Sequence, residues 1–354
     1  MLDWGPKSLN GGNISIGSRL LSRHILFRAS DSHFRIVLAS KHKVDNMGHT
    51  LTPAIVDSAA LLEYQQRGFL LVEDLVEPAL LHSALDELRS QRETGALVQN
   101  DRYNHTGQVD FTKIPNLVKT NEAFRMLASA PAVVQVVETL LGQRALIFRD
   151  VLVNKPARTG ASLDYHQDSA YWDVEPRALI SAWFTFRDVG PDDGCLRLIS
   201  GSHTRNYPHD IRLSTKHALP QWLTAGLRRL ASLSGTGDSD ASGFSVARRL
   251  KNRALGSFTR RASFIGKLQD LHARVPDGEK RLALEIPVRA GSVLFFHSQL
   301  LHASNPNTSE LDRPAYIVSY MGADYTFCGV GQPEFLVAAE RNRKVFQKAR
   351  IANP

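Results

Sequence analysis

The sequence predicts an α+β single domain built around a β-barrel or sandwich. Helical patterning fills residues 57–141 and strand patterning fills 145–321. One long departure, about 203–280, interrupts the strands. Helices first and strands after is the order of an α+β fold rather than of alternating βαβ units. With 354 residues and 43% hydrophobic content, the chain can bury one large core or two modest ones.

Taken in order, residues 1–46 differ from the rest of the chain. Ser15 to Ser30 is Ser/Arg-rich and free of acids, the composition of a mitochondrial transit peptide; a disordered tail or a start assigned too early explains it equally. The end, Ala352-Asn353-Pro354, is no peroxisomal tripeptide, and 341–354 reads as a tail. The main domain is therefore expected over 47–340. Within it, Asp57 or Ser58 caps a helix carrying Leu61, Leu62 and Tyr64 that Gly68 ends. Phe69 to Val72 is a short apolar strand. Pro78, suited to a first helical position, opens a helix with Leu81, Leu85 and Leu88 on one side. Gln99 to Gly107 reads as a polar loop, and Glu122 to Leu141 as a helix broken at Pro131 and closed by Gly142.

Strands begin at Ala145 to Asn154. Ser181 to Val189 alternates, with Ala182, Phe184 and Phe186 on one face and Trp183 and Thr185 on the other. Pro191-Asp192-Asp193-Gly194 is a turn into Cys195 to Ile199. Strands resume at Leu282 to Val288 and Ser292 to His297, with Ala315 to Met321 the last clear one.

Charge and cysteine content narrow the function classes. The net charge of +8 is concentrated: Arg228 to Arg261 holds eight basic residues against Asp238 and Asp240. The remainder is nearly neutral and lacks the aromatic interleaving of single-strand binders, which argues against nucleic acid. The basic insertion is expected to be a lid whose charge meets an anionic or carrier-linked small molecule. Two cysteines, Cys195 and Cys328, form no disulfide framework and suggest a reducing compartment. No run approaches the ~18 apolar residues that span a bilayer, so a cytoplasmic protein is expected, with mitochondrial import as the alternative.

The chemistry-bearing stretch is Tyr165-His166-Gln167-Asp168. On a strand His166 and Asp168, two apart, point at one spot. With a second imidazole they make a facial triad with open positions, a geometry suited to non-haem Fe(II) that also holds a co-substrate and O₂. His297 and His302 both follow the Val293 to Phe296 strand, and spacing alone does not choose between them. Ser304 and Arg313 downstream favour His302, because a guanidinium helped by a hydroxyl can hold the far carboxylate of a dicarboxylate whose 2-oxo-acid end chelates iron. Tyr165, Gln167, Tyr171 and Trp172 flank the metal strand and can shape a substrate pocket. A non-catalytic jelly roll that binds metal or anion, and a Zn²⁺ hydrolase using the same His/Asp/His set, are the competing readings.

From about Leu61 to Asp324 the chain resembles the phytanoyl-CoA dioxygenase family of Fe(II)/2-oxoglutarate oxygenases. The resemblance is carried by Val151-Leu152-Val153-Asn154-Lys155-Pro156, His166-Gln167-Asp168, Ala182-Trp183 and Gly194-Cys195-Leu196. It continues through Ser200-Gly201-Ser202-His203, Phe295-Phe296-His297, His302-x-Ser304 and Arg313. It implies a double-stranded β-helix, a cupin-like jelly roll, as the core of this α+β fold, to which the chain adds the N-terminal helices and the long insertion. It also implies His166, Asp168 and His302 as iron ligands, and Arg313 and Ser304 on the distal carboxylate of 2-oxoglutarate. Trp183, Val151, Lys113 and Gln167 match further co-substrate positions, and His297 a structural histidine. The implied reaction converts 2-oxoglutarate and O₂ to succinate and CO₂ while oxidising a substrate C–H, with hydroxylation the usual outcome. Asp168 argues against halogenation, for which related enzymes carry Ala or Gly there. The insertion departs from the family pattern, so an acyl-CoA substrate is not carried over.

Overall fold

The computed structural model describes residues 35–37, 43–44, 50–51, 55–95, 99–103, 106–211, 271–329, 334–340 and 344–351. The expected targeting character of residues 1–34 and the basic lid over 212–270 lie outside these residues.

After an edge strand, β1 (Arg35–Val37), come α1 (Ser58–Arg67), β2 (Phe69–Glu73) and α2 (Pro78–Glu93). A hairpin, β3 (Asn100–Tyr103) with β4 (Val109–Pro115), precedes α3 (Glu122–Ala128) and α4 (Pro131–Leu141). Next are β5 (Ala145–Lys155), β6 (Leu163–His166), β7 (Ile180–Thr185) and β8 (Leu196–Leu198). A ribbon of β9 (His209–Ile211) and β10 (Leu271–Ala273) stands at the root of the insertion. The chain then runs through β11 (Leu284–Ile286), β12 (Val293–His297), β13 (His302–Ser304) and β14 (Arg313–Gly322), and on to β15 (Glu334–Val337) and β16 (Phe346–Lys348).

The helix ends follow their sequence signals. The Asp57 carboxylate accepts the Ala60 N–H at 2.9 Å, satisfying one of α1's orphan donors. Gly68 closes α1 at φ 80°, where a Cβ would also stand 2.5 Å from the His203 ring, so only glycine fits. Pro78 starts α2, and α3 and α4 are separate helices divided before Pro131.

Two sheets face each other as a jelly roll. The ten-stranded sheet runs β1-β2-β12-β7-β14-β5, and β5 then pairs β4 near one end and β15 near the other. The smaller sheet runs β11-β8-β13-β6. On β7 the alternation divides as expected: Ala182, Phe184 and Phe186 join the core under the helices, while Trp183 belongs to the core between the sheets. The helix-side core unites Phe124, Leu127, Val133 and Val137 with Phe295, Tyr316 and Val318. Each fully buried side chain of this size contributes roughly 1.5–3 kcal/mol. No single helix among the described residues is long and apolar enough to cross a membrane.

Three boundaries differ from expectation. The polar stretch at Gln99 contains β3, an edge strand whose half-exposed surface explains its polar composition. The expected C-terminal tail contributes β16, which pairs with β15 and so extends the large sheet. Within the first 46 residues, β1 lies parallel to β2.

Candidate active site

β6 and β13 are neighbours, and their register sets His302 directly opposite His166, with ring centroids 4.2 Å apart. Each imidazole is oriented by a backbone carbonyl two residues earlier: His166 Nδ1 lies 2.8 Å from Asp164 O, and His302 Nδ1 lies 3.0 Å from Leu300 O. A neutral ring that donates from Nδ1 keeps its lone pair on Nε2. Both Nε2 atoms converge on Asp168 Oδ1, at 3.7 and 3.8 Å. Asp168 departs from the strand alternation predicted for it. β6 ends at His166, and Asp168 opens a 3₁₀ turn that the Ser169 N–H anchors to Ser298 O at 2.9 Å. The turn, with the Ser181 hydroxyl 3.1 Å from Asp168 Oδ2, brings Oδ1 to the imidazoles.

These three side chains offer ligand atoms within 4.8 Å of one another, and two nitrogens with one carboxylate suit a divalent transition metal. Burial and the adjacent His302 ring push the His166 pKa down, so its lone pair is available near neutral pH. His297 lies outside this cluster. Its Nδ1 accepts the Gln299 N–H at 3.0 Å, and burial lowers its pKa to about 4.

Directly paired residues of an antiparallel sheet point to the same face, so the register reads out the barrel interior in rows. The row level with the metal position is Phe296–Ser181–Ser319–Arg149. Next come Leu294–Trp183–Ile317–Val151–Pro115, then Thr185–Ala315–Val153–Lys113. The last row is Arg313 paired with Lys155. Trp183, Val151 and Lys113 therefore all face the interior, with the Lys113 ammonium 5.0 Å from the Phe111 ring.

The Arg313–Lys155 row buries a guanidinium and an amine without a carboxylate at ion-pair distance among the described residues. Arg313 Nη2 donates to Gly194 O at 3.1 Å, its guanidinium lies 5.7 Å from the Trp183 ring, and its buried Nε has no partner. Gly194 sits at φ 72°, where a Cβ would be 2.5 Å from Asn305 O, so this carbonyl needs glycine behind it. Burial lowers the Arg313 pKa to about 10, leaving it charged at neutral pH. Lys155 Nζ donates to Ser304 Oγ at 2.8 Å and to Asn305 O at 2.5 Å. Burial, and then the Arg313 charge, bring its pKa down to about 6. A buried cation with an orphaned donor is costly unless an anion arrives. This end of the barrel fits a carboxylate.

Lys155 stands in the sequence only within the Val151 to Pro156 stretch and without a site role, although the alternation Val151, Val153, Lys155 sets all three on one face. Gln167 requires the opposite correction. Its buried amide donates to Arg205 O at 2.8 Å and Gln299 O at 2.6 Å, and accepts the Tyr207 N–H at 3.1 Å. With both donors and its acceptor engaged, the side chain braces loops rather than facing a co-substrate.

A jelly roll with this interior defines the class: oxygenases that use non-haem iron and 2-oxoglutarate. The family model of phytanoyl-CoA dioxygenase (PhyH) matches residues 64–315, and the chain belongs to that family. Among its relatives is mouse phytanoyl-CoA dioxygenase domain-containing protein 1, 24% identical over 251 residues and 70% of each chain. Another is L-proline trans-4-hydroxylase of Streptomyces griseoviridis, 25% identical over 225 residues, covering 62% of this chain and 70% of that protein. The fold is also that of the epimerase SnoN, solved with Fe³⁺, α-ketoglutarate and nogalamycin RO. That structure has a TM-score of 0.53 at 17% identity and covers 76% of this chain and 84% of SnoN. The chain is accordingly a dioxygenase dependent on iron, 2-oxoglutarate and O₂.

Proposed function

We propose that this enzyme hydroxylates an unactivated C–H of a small organic substrate, with His166, Asp168 and His302 holding the iron. When bound, Fe(II) with 2-oxoglutarate and O₂ supplies the oxidising chemistry, releasing succinate and CO₂. The chain's own residues do the rest. Asp164 O and Leu300 O keep both Nε2 atoms turned to the metal position, and Ser181 steadies Asp168. Arg313 and Ser304 take the distal carboxylate of 2-oxoglutarate, with Lys155 behind Ser304. Because Lys155 donates to Ser304 Oγ, the serine proton is free to be donated to that carboxylate. Trp183 and Val151 wall the space between, and Lys113 adds a positive charge from β4.

The observation that carries this reading is the orphaned Arg313 Nε beside the buried Lys155 amine, on the same interior face as the His/Asp/His cluster. A zinc hydrolase would leave the buried Arg313 charge without an anion to bind. The test is succinate formation. It should require Fe(II), O₂ and 2-oxoglutarate together, and fall by at least about a thousandfold in Asp168→Ala. Succinate release by Asp168→Ala at the normal rate, or wild-type hydrolysis without O₂, would refute the proposal.

A further inference from the structure

One interior cation takes no part in holding iron or 2-oxoglutarate. Arg149 lies on β5 opposite Ser319, which pairs with Ser181, whose hydroxyl is 3.1 Å from Asp168 Oδ2. Ser181 and Ser319 are themselves linked, with their hydroxyl oxygens 3.1 Å apart. At the other end of that row, Phe296 packs 4.8 Å from the His302 ring. The row thus runs past both Asp168 and His302 and ends on a guanidinium. Two strand spacings, roughly 10 Å, separate the backbones of Ser181 and Arg149, with Ser319 between them.

Local backbone geometry maintains this aim. The register between β14 and β5 shifts just beyond Arg149: Ser319 pairs with Arg149, but Tyr320 pairs with Ile147. The extra residue, Phe148, packs edge-on against Trp172, with centroids 5.3 Å apart. Such bulges re-aim side chains beside active sites. The Arg149 guanidinium also lies over Trp172, 5.8 Å from the ring, and Trp172 directly follows the Asp168–Tyr171 turn. Stacking fixes the plane of an arginine while leaving its N–H fork open. Arg149 is exposed and makes neither an ion pair nor a hydrogen bond among the described residues. It faces a site that would hold a divalent cation, so an anion arriving between the two is attracted by both charges.

We propose that Arg149 is the docking point for an anionic group of the organic substrate, a carboxylate or a phosphate, at the mouth of the barrel opposite the Arg313–Lys155 row. This rests on the oxygenase reading above. The anion takes the guanidinium fork in bidentate contact and leaves the remainder of the molecule over the metal position. The barrel then has two anion stations on β5, one for the co-substrate and one for the substrate.

The experiment uses the full chain, anaerobic, loaded with Fe(II) and with or without 2-oxoglutarate. It is titrated by calorimetry with matched pairs: amino, hydroxy and short acyl carboxylic acids against their carboxamides, and phosphate monoesters against their alcohols. At least one anion should bind ten- to a hundredfold more tightly than its neutral partner. Arg149→Gln should erase that gap, and Arg149→Lys should restore part of it. Arg149→Glu should invert it, the neutral partner then binding more tightly than the anion. The acid and ester arms identify the anion. A panel in which no anion outbinds its neutral partner overturns the proposal, as does a gap that survives in Arg149→Gln. A weakened affinity for 2-oxoglutarate itself in Arg149→Gln also overturns it, because the residue would then belong to the co-substrate. Failure of the oxygenase reading is separately visible as no 2-oxoglutarate binding in any protein, and the pairs titrated without it still read the Arg149 gap.

Discussion

Strand β5 carries two cations on one face, six residues apart, in opposite surroundings. Lys155 at the inner end has no exposed surface and gives its protons to Ser304 Oγ and two backbone carbonyls. Arg149 at the outer end is exposed and rests on an indole. Burial costs Lys155 much of its charge near neutral pH, its pKa falling to about 6, whereas Arg149 stays in contact with solvent. The difference separates two ways of holding an anion. The inner station is buried and preformed, as the proposed binding of one dicarboxylate requires. The outer one is wet and adaptable, suited to a substrate that must enter and leave.

The largest effect should come from removing the permanent charge at the inner station. Arg313→Ala should raise the 2-oxoglutarate concentration for half-saturation by roughly ten- to a hundredfold, since a charge-assisted hydrogen bond is worth about 1.5–3 kcal/mol. Titrating co-substrate in both proteins decides it, and an unchanged half-saturation would make the inner row merely structural.

Lys155 should respond next, and with a pH signature. Above pH 6 the free protein holds Lys155 largely neutral, and a carboxylate arriving beside it favours the charged form. Binding of 2-oxoglutarate at pH 8 should therefore take up close to one proton, and affinity should decline as pH rises above 6. Calorimetry in buffers of different ionisation enthalpy measures the uptake. It should vanish in Lys155→Met, whose affinity should drop about tenfold. The linkage has the opposite sign for folding. The Lys155 pKa is depressed in the folded state, so between about pH 6 and its ordinary value of 10.5 the unfolded chain binds more protons, and this residue makes stability rise with pH. Equal proton uptake in both proteins would mean that Lys155 does not sense the ligand.

The smallest effect should be that of Ser181→Ala. Its hydroxyl joins the two ends of the comparison by holding Asp168 and meeting Ser319. A neutral donor contributes about 0.5–1.5 kcal/mol, so turnover should fall by a factor of about 2–10 with iron content unchanged. A thousandfold loss would show that the serine does more than steady a carboxylate.

How much the sequence reveals depends on how far apart the cooperating residues lie. His166, Asp168, Ser304 and Arg313 are legible because each sits in a short pattern with chemical meaning. Lys155 and Arg149 are not, because a basic residue on a strand reads as a solvated one until register shows which neighbour it faces. Gln167 misleads for the converse reason. Its place between two candidate ligands puts it among the expected co-substrate residues, but alternation turns its side chain the other way, toward Arg205, Tyr207 and Gln299. The helices were the most accurate part, since Asp57, Gly68, Pro78, Pro131 and Gly142 act locally. Strands β15 and β16 went unread because they are short and lie at the margin of the sheet.

The brace at Gln167 bears on how such a barrel can diversify. Its amide, with the Gln167 N–H donated to His209 Nε2 at 3.1 Å, fastens the metal turn to the root of the insertion. That root is closed on itself: β9 pairs with β10, Arg274 grips Asp210 with contacts of 2.6 and 2.7 Å, and the Tyr207 hydroxyl holds Glu279 at 2.6 Å. A ribbon clamped at its base works as a socket. Closing a longer or shorter excursion across it changes loop entropy only slowly with length, and the turn that carries Asp168 is tied to the socket. Lineages can therefore exchange the excursion wholesale while the oxidising machinery beneath stays in register.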